Sequence, residues 1–165
     1  MKHIDICDLK EKYEDYMDSE VVVCGWIRSV RDSKNVAFIE LNDGTTLGNI
    51  QIVIDKATFA DAERISRETV GAALKVTGKL VKSQGKQAFE INAEDVVVLG
   101  ESPQDYPLQK KKHSLEFLRT IPHLRARTNT FNAMFRVRNQ LARGIHKFFE
   151  QEHFTYVHTP IMTNS

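Results

Sequence analysis

The chain has 165 residues, of which 41% are hydrophobic and 27% charged, a composition typical of a folded globular protein. Its net charge of +1 is unevenly distributed. Residues 1–100 carry 13 Lys and Arg against 17 Asp and Glu, whereas residues 101–165 carry 10 against 5. The sequence therefore lacks the overall basic charge typical of nucleic-acid-binding proteins. Any function in nucleic-acid binding has to rest on particular side chains.

Cysteine and histidine positions argue against disulfide and metal chemistry. Cys7 and Cys24 are far apart and form no CxxC motif, which favours a reducing, cytoplasmic location over a disulfide. The six histidines show no metal-ligand spacing with a cysteine or a carboxylate, so we expect no metal site. The acidic N-terminal residues lack a signal-peptide core, and no apolar stretch approaches the roughly 18 residues of a membrane span.

Alternating hydrophobic residues predict five β-strands, with a helix between the third and the fourth. This order, with long strands bent at glycines such as Gly25, suits a five-stranded OB barrel. The pattern alone is equally compatible with another small α+β barrel. After a short helical lead-in, the predicted elements are strands 21–32, 35–44 and 48–55, a helix over 56–70, and strands 71–84 and 86–100.

The C-terminal part of the chain predicts a linker followed by a second folded region. Residues 100–112 contain two prolines, polar residues and a lysine run, which are typical of an interdomain linker. A helix is expected to follow, with Asn129 or Thr130 as its N-cap. Phe154 to His158 then predicts a strand, which Pro160 ends. The apolar stripe of the predicted helix consists of Met134, Val137, Leu141, Ile145 and Phe148.

Several segments together resemble a known family. FTYVHTPIM, which contains Pro160 and follows a long helix, is similar to motif 1 of class II aminoacyl-tRNA synthetases. CGWIRSVRD and NVAFIELNDG are similar to the anticodon-binding domain of the aspartyl, asparaginyl and lysyl branch. QKKKHSLEFLRTIPHLRARTNTFNAMFRVR resembles the asparaginyl members, because HLRARTNTF stands where aspartyl enzymes usually read more like LDLR. The chain is thereby identified, over essentially its whole length, as a member of the asparaginyl-tRNA synthetase family.

The resemblance implies a fold that is mainly β with helices. A five-stranded OB-fold barrel, the anticodon-binding domain, would cover residues 1–100, and a linker or hinge residues 101–130. Residues 131–165 would begin a class II α+β catalytic domain with the motif 1 helix and strand. The chain would then be an N-terminal fragment that ends just after motif 1. Motif 1 forms the homodimer interface in this family, and here that role falls on Phe154 and Pro160.

The resemblance also implies an activity for the whole enzyme. A full-length member joins L-asparagine to its tRNA through an aminoacyl-adenylate, using ATP and Mg²⁺. The motifs that hold these ligands follow motif 1, so this chain should contain no catalytic residue and bind no cofactor. We therefore expect it to bind asparagine-accepting tRNA without aminoacylating it, in the cytoplasm and away from membranes.

Matching to the family places anticodon recognition on specific strand residues. Proteins read RNA loops by stacking splayed bases on aromatic rings and by hydrogen bonds to base edges. Phe38 is expected to stack a base, although a strand phenylalanine judged by periodicity alone is more often part of a core. Glu90 can accept the two N–H donors of a guanine edge. Gln51 offers a donor and an acceptor to uracil, with Asn49 as the nearby alternative.

Two arginines complete the expected anticodon site. Arg31 can present a planar guanidinium to a base or a phosphate, and Arg28 is a secondary candidate. Either one could equally be an ordinary solvated strand arginine.

Three other functions remain open from the sequence. The chain could be part of an aspartyl enzyme, which the Arg-Thr-Asn-Thr-Phe run disfavours. It could be a stand-alone OB-fold nucleic-acid-binding module without chemistry, which gains nothing from a motif 1 helix and strand. It could also be an interaction protein that uses the motif 1 surface to dimerise or to cap a synthetase.

Overall fold

A computed structural model describes residues 2–59, 61–85 and 87–162. The chain divides into two compact units, Met1–Thr120 and Ile121–Ser165. In chain order the elements are α1 (Ile6–Glu11), α2 (Tyr13–Tyr16), β1 (Glu20–Asp32), β2 (Val36–Asn42), β3 (Ile50–Asp55), α3 (Ala62–Ser66), β4 (Ala73–Lys82), β5 (Phe89–Gly100), α4 (Leu115–Thr120), a 3-10 helix (Arg125–Arg127) and α5 (Asn129–Gln151).

The five strands form a closed barrel in the order β1-β2-β3-β5-β4. β3 and β5 pair in parallel, and the other neighbouring pairs are antiparallel. This topology confirms the predicted five-stranded OB fold, with a helix between the third and fourth strands. Each observed strand overlaps its predicted range. Lys86, with which the last predicted strand begins, lies outside the described residues, and β5 begins at Phe89.

The barrel core is built from alternate residues of each strand. On β2, Ala37, Ile39 and Leu41 are fully buried, whereas Phe38 and Glu40 between them are not. Successive side chains of a strand point to opposite faces, so Phe38 and Glu40 lie on the outside of the barrel. Other large side chains of the core are Ile6, Leu9, Ile27, Ile50, Ile52, Ile54, Ile65, Leu74, Leu80 and Ile91.

β1 is long enough to pair with two partners. It pairs with β4 as far as Trp26, and with β2 from Trp26 onward. A Cβ placed on the neighbouring Gly25 would lie 2.8 Å from the backbone oxygen of Asn42, closer than real side chains approach. Glycine at this position therefore allows β1 to pass close to β2 where the barrel closes.

The helix predicted over 56–70 is wrong in extent, because α3 covers only Ala62–Ser66. After β3 the chain first forms a turn, in which the Asp55 carbonyl accepts a hydrogen bond from the Phe59 N–H at 3.0 Å. The Asp55 side chain also accepts from the backbone within this turn, and such bonds compete with a helix. Ala60, inside the predicted helix, lies outside the described residues.

Part of the segment expected to be a linker is ordered within the first unit. Leu108 and Leu118 are buried there, and α4 includes Leu118. The hydroxyl of Thr69 donates to the carbonyl oxygen of Ser102 at 2.7 Å. Side-chain burial and hydrogen bonding therefore continue past residue 100.

In the second unit, α5 forms close to its predicted start but with a different cap. The N-cap is Thr128, whose hydroxyl accepts a hydrogen bond from the Phe131 N–H at 3.4 Å. The expected caps, Asn129 and Thr130, lie inside the helix, so that prediction is wrong. Thr128 has the extended backbone conformation that an N-cap requires, and the helical angles begin only after it.

The apolar side chains of the second unit are largely exposed. The stripe of α5 ranges from 46% exposed at Met134 to 64% at Leu141. The strand predicted from Phe154 to His158 is wrong, because the described residues 154–162 form neither helix nor strand. A strand needs a neighbour for its backbone N–H and C=O groups, and no strand occurs among the described residues of this unit. Nor is any helix of the described residues long and apolar enough to cross a membrane.

Candidate nucleic-acid interface

Two rows of side chains cross the outside of the barrel over β1, β2 and β3. Cross-strand partners lie on the same face of a sheet. Because Phe38 and Glu40 alternate with buried residues, both rows point away from the core. We call these six side chains the outer face. The first row comprises Arg31, Phe38 and Val53, and the second comprises Ser29, Glu40 and Gln51.

Arg31 and Phe38 contact each other on this outer face. The guanidinium carbon of Arg31 lies 4.8 Å from the centre of the Phe38 ring, within cation–π range. Phe38 is half-buried and on the outside of β2, so it is not a core residue. The structure thus brings two of the predicted residues together and leaves an aromatic surface beside a positive charge.

Gln51 and Glu90 are joined by a hydrogen bond between β3 and β5. The Nε2 of Gln51 donates to the Oε2 of Glu90 at 2.9 Å. Because a carboxylate only accepts hydrogen bonds, this contact fixes which end of the Gln51 amide faces Glu90. The amide oxygen of Gln51 is thereby turned away from Glu90.

The carboxylate of Glu90 is held by further donors from the turn between β4 and β5. The Ser83 hydroxyl donates to Oε2 of Glu90 at 2.8 Å, and the Gln87 side chain donates at 3.4 Å. Within the described residues, the bonds to Glu90 all reach Oε2, and none reaches Oε1. Glu90 therefore has a fixed orientation and one oxygen that can accept from a ligand.

A second carboxylate, that of Glu40, lies in register with Gln51. Its Oε2 accepts from the hydroxyl of the buried Ser29 at 3.0 Å and from the side chain of Asn49 at 3.2 Å. Asn49, the alternative to Gln51, also accepts from the amide of Asn42 at 3.3 Å. Asn49 is thus engaged in holding Glu40 and the loop after β2.

Arg28 has a different position from the other predicted residues. It lies at the register shift of β1, between Ile27 and Ser29, where the pairing with β2 is irregular. The sequence reasoning also missed Ser29, Glu40 and Ser83, which hold the polar groups of this surface. Ser29 lies two residues before Arg31, and Glu40 lies two residues after Phe38. Because residues two apart on a strand share a face, this spacing could have indicated both. The contact of Ser83 with Glu90 depends on the strand pairing and leaves no local signal.

Two ionisable groups of the first unit have displaced pKa values. Burial lowers the pKa of Lys10, and attraction to the Asp43 carboxylate partly offsets this effect. Burial raises the pKa of the Cys24 thiol, with Lys75 acting in the opposite direction, so the thiol stays protonated at neutral pH.

The two residues expected at a dimer interface lie in the second unit. Phe154 is 66% exposed, and its ring contacts the Phe149 ring edge-on with centres 5.4 Å apart. Pro160 is also exposed. Both side chains are accessible to a partner.

The sequence of the barrel matches a known protein family. Residues 21–99 match the tRNA anti-codon family, described as an OB-fold nucleic acid binding domain. Together with the closed five-stranded topology, this match defines the first unit as an OB-fold domain of the nucleic-acid-binding class.

Sequence relatives identify the chain more closely. It is 51% identical over its whole length to the asparagine–tRNA ligase of Acetivibrio thermocellus, of which it covers 36%. The chain is thus a homologue of asparagine–tRNA ligases, or asparaginyl-tRNA synthetases, and spans about a third of the length of the curated relatives it matches.

Solved structures support the same fold. An asparaginyl-tRNA synthetase of Pyrococcus horikoshii, solved with asparaginyl-adenylate, superposes with a TM-score of 0.85 at 19% identity, covering 98% of this chain and 37% of that one. An aspartyl-tRNA synthetase of Entamoeba histolytica gives 0.83 at 18% identity, covering 97% and 39%. At such low identity these likenesses show the fold alone.

Proposed function

We propose that this chain is the anticodon-recognition part of an asparagine–tRNA ligase. The observation that carries the proposal is the outer face, where Arg31 covers Phe38 and Gln51 bonds to Glu90 on one side of an OB barrel. The 51% identity to an asparagine–tRNA ligase supplies the identity of the tRNA. OB folds bind oligonucleotides on this kind of strand surface.

Base stacking would take place at Phe38 and Arg31. Aromatic rings and guanidinium planes both stack unpaired bases, and each aromatic stack contributes about 1–3 kcal/mol. The guanidinium of Arg31 adds a positive charge for the RNA backbone without losing its contact with the ring. Arg28, on the same strand, is a secondary candidate for such a backbone contact.

Base choice would take place at Glu90 and Gln51. A guanine edge offers two N–H donors, and the Oε1 of Glu90, which no hydrogen bond from the described residues reaches, is available to accept from them. The amide oxygen of Gln51, turned away from Glu90, can accept from the N3–H of uracil. The hydrogen bond between the two side chains therefore presents two acceptors for two different bases.

The remaining properties of the proposed enzyme belong to the full-length protein. It would join L-asparagine to its tRNA with ATP and Mg²⁺ in the cytoplasm, and this chain alone would bind tRNA without aminoacylating it. The described residues contain no group of three or more His, Cys, Asp or Glu suited to a metal ion.

The proposed domain organisation and dimer follow the family. Residues 1–100 would form the anticodon-binding domain, 101–130 the hinge, and 131–165 the start of the catalytic domain. Phe154 and Pro160 would then contact the second subunit of a homodimer. The exposed apolar side chains of the second unit support this assignment.

The proposal is tested by titrating the chain with anticodon stem-loops of asparagine and aspartate tRNAs at stated low and moderate salt. We expect the asparagine loop to bind more tightly. Phe38→Ala should weaken binding about 5- to 150-fold, the equivalent of one lost base stack. Phe117→Ala, which removes a partly exposed ring outside the outer face, is the matched control and should leave binding unchanged.

Equal binding of every loop by the unsubstituted chain, with no loss in Phe38→Ala or Glu90→Ala, would contradict anticodon recognition. That outcome would instead favour a stand-alone OB-fold module that holds RNA by its backbone. A preference for the aspartate loop would favour the aspartyl alternative.

A further inference from the structure

A cavity of about 300 Å³ adjoins the outer face at Gln51. Polar and apolar residues line it in similar measure. The side chains of Lys10, Asn49, Gln51 and Gln87 contribute to it, and Phe89 forms one apolar wall. Since Gln51 and Gln87 both bond to Glu90, the cavity lies next to the proposed guanine-reading group.

The helix that carries Lys10 is fixed to the loop after β2. The Ile6 N–H donates to the Asp43 carboxylate at 2.7 Å, and the Cys7 N–H donates to the Thr45 hydroxyl at 3.1 Å. Ile6 is also fully buried in the barrel core. These contacts fix the backbone of α1, from which the Lys10 side chain extends into the lining of the cavity.

The ammonium group of Lys10 lies against the backbone of Gly48. A Cβ placed on Gly48 would be 2.6 Å from Lys10 Nζ, so a larger residue there would displace the ammonium. The φ of Gly48 lies outside the left-handed range, so the backbone itself does not require glycine. Glycine at position 48 therefore leaves space for the Lys10 ammonium in its present position.

Lys10 is a half-buried cation that forms no ion pair with any carboxylate in the described part of the chain. Burial lowers its pKa, and the Asp43 carboxylate compensates only in part. Half-burying a charge without pairing it disfavours folding. A cation held in this way, beside a base-reading surface, is explained by an anion that arrives with the ligand.

We propose that the Lys10 cavity is a phosphate subsite, in which the Lys10 ammonium binds a phosphodiester of the RNA segment whose bases reach Gln51 and Glu90. This inference rests on the proposed function and adds a backbone contact to it. A cavity of about 300 Å³ exceeds one phosphate group and also admits part of the attached ribose. The contact contributes affinity and register, and it carries no base preference.

The test compares three variants against the anticodon stem-loops over a range of salt. Lys10→Gln removes the charge, and Gly48→Ala keeps the charge but displaces the ammonium. Lys12→Gln is the matched control, because Lys12 is exposed, follows the end of α1 and does not line the cavity. Lys10→Gln and Gly48→Ala should each weaken binding to every loop about five- to tenfold at low salt, and Lys12→Gln should not.

The salt dependence adds a second readout. The slope of log K against log salt should decrease in magnitude by about 0.7 in Lys10→Gln, the value for one lost contact to a single strand. Stem-loops that each carry one uncharged methylphosphonate linkage then locate the contact. One linkage should weaken binding of the unsubstituted chain but have no further effect on Lys10→Gln.

Several outcomes would overturn the phosphate subsite. Unchanged binding in Lys10→Gln, alongside the expected loss in Phe38→Ala, would remove the subsite and leave the proposed function intact. A loss confined to loops with one particular base would show that Lys10 contacts a base edge. Equal losses of binding affinity in Lys10→Gln and Lys12→Gln would show that the effect depends on net charge and not on a contact with Lys10. Failure of the unsubstituted chain to bind any loop would contradict the proposed function as well.

Discussion

The barrel and the second unit carry similar apolar patterns with opposite outcomes. On β2, Ile39 and Leu41 recur at a spacing of two and are fully buried. On α5, Leu141 and Ile145 recur at a spacing of four, yet they are 64% and 60% exposed. A pattern thus indicates which side chains share a face, but not whether the same chain covers that face. The barrel completes its own core, whereas the α5 stripe is available to a partner.

The largest expected effect is a difference in how much the same kind of substitution destabilises the barrel and the second unit. Ile52 is fully buried, so Ile52→Ala should lower the free energy of unfolding by about 2–5 kcal/mol. Leu141→Ala removes a side chain of similar size that is mostly exposed. This substitution should change the free energy of unfolding by about 0.5 kcal/mol or less. Urea unfolding of both variants measures the difference. Similar losses in the two variants would mean that the α5 stripe is covered in solution.

A second expected effect concerns local stability. In dilute solution the amide protons of α5 should exchange faster than those of β1 and β4, because every α5 residue is at least partly exposed. Hydrogen exchange followed residue by residue tests this expectation. Equal protection of α5 and the strands would contradict it.

Self-association is the condition under which α5 would become protected. If the stripe forms a dimer contact, gel filtration should show a larger species at high protein concentration, and Leu141→Arg should abolish it. If deleting residues 131–165 leaves the oligomeric state unchanged, the hypothesis of an interaction protein that uses the motif 1 surface is contradicted.

The predictability of the fold differs between the two regions for a physical reason. The five strands were predictable because each has one buried and one exposed face, which imposes alternation on its sequence. The strand expected at Phe154 to His158 has strand-forming residues as well, but strand pairing depends on a neighbour that local sequence does not report. The short α3 was overestimated because the turn after Asp55 competes with a helix.

The candidate site was predictable only in part for the same reason. Motif resemblance indicated Phe38, Gln51 and Glu90, and alternation places Phe38 outside the barrel. The contact between Ser83 and Glu90 and the position of Lys10 against Gly48 arise from tertiary packing. They join residues that are distant in the chain or matched by no motif.

A further prediction is confined to the barrel and concerns pH. Because the pKa of folded Lys10 is lower than its unfolded value of 10.5, its charged form reduces stability at neutral pH. Lys10→Met should therefore raise the melting temperature of the RNA-free chain at pH 7. The penalty is fully present below the folded pKa and disappears as pH rises through it towards 10.5.

Melting curves at pH 7 and at increasingly alkaline pH measure this effect. The advantage of Lys10→Met over the unsubstituted chain should shrink as pH rises. A destabilised Lys10→Met variant at pH 7 would show that Lys10 stabilises the fold. Lys12→Met provides the matched control.

The smallest expected effect is at Ser83. Ser83→Ala removes one of the donors that orient Glu90 and leaves Gln51 in place. The preference for guanine over inosine, which lacks the exocyclic amine, should fall about 2- to 10-fold, the equivalent of one hydrogen bond. Ser66→Ala, on α3, is the control and should leave the preference unchanged. An unaltered preference in Ser83→Ala would mean that Ser83 does not position Glu90.

The central claim is that base choice resides at Glu90 on β5 and at its partner Gln51 on the outer face of the barrel. It is tested most directly by titrating the unsubstituted chain and Glu90→Ala with two asparagine anticodon stem-loops, one with guanine and one with inosine at the first anticodon position. We predict that the unsubstituted chain prefers guanine and that Glu90→Ala binds both loops equally. A preference for guanine that survives in Glu90→Ala would contradict the account.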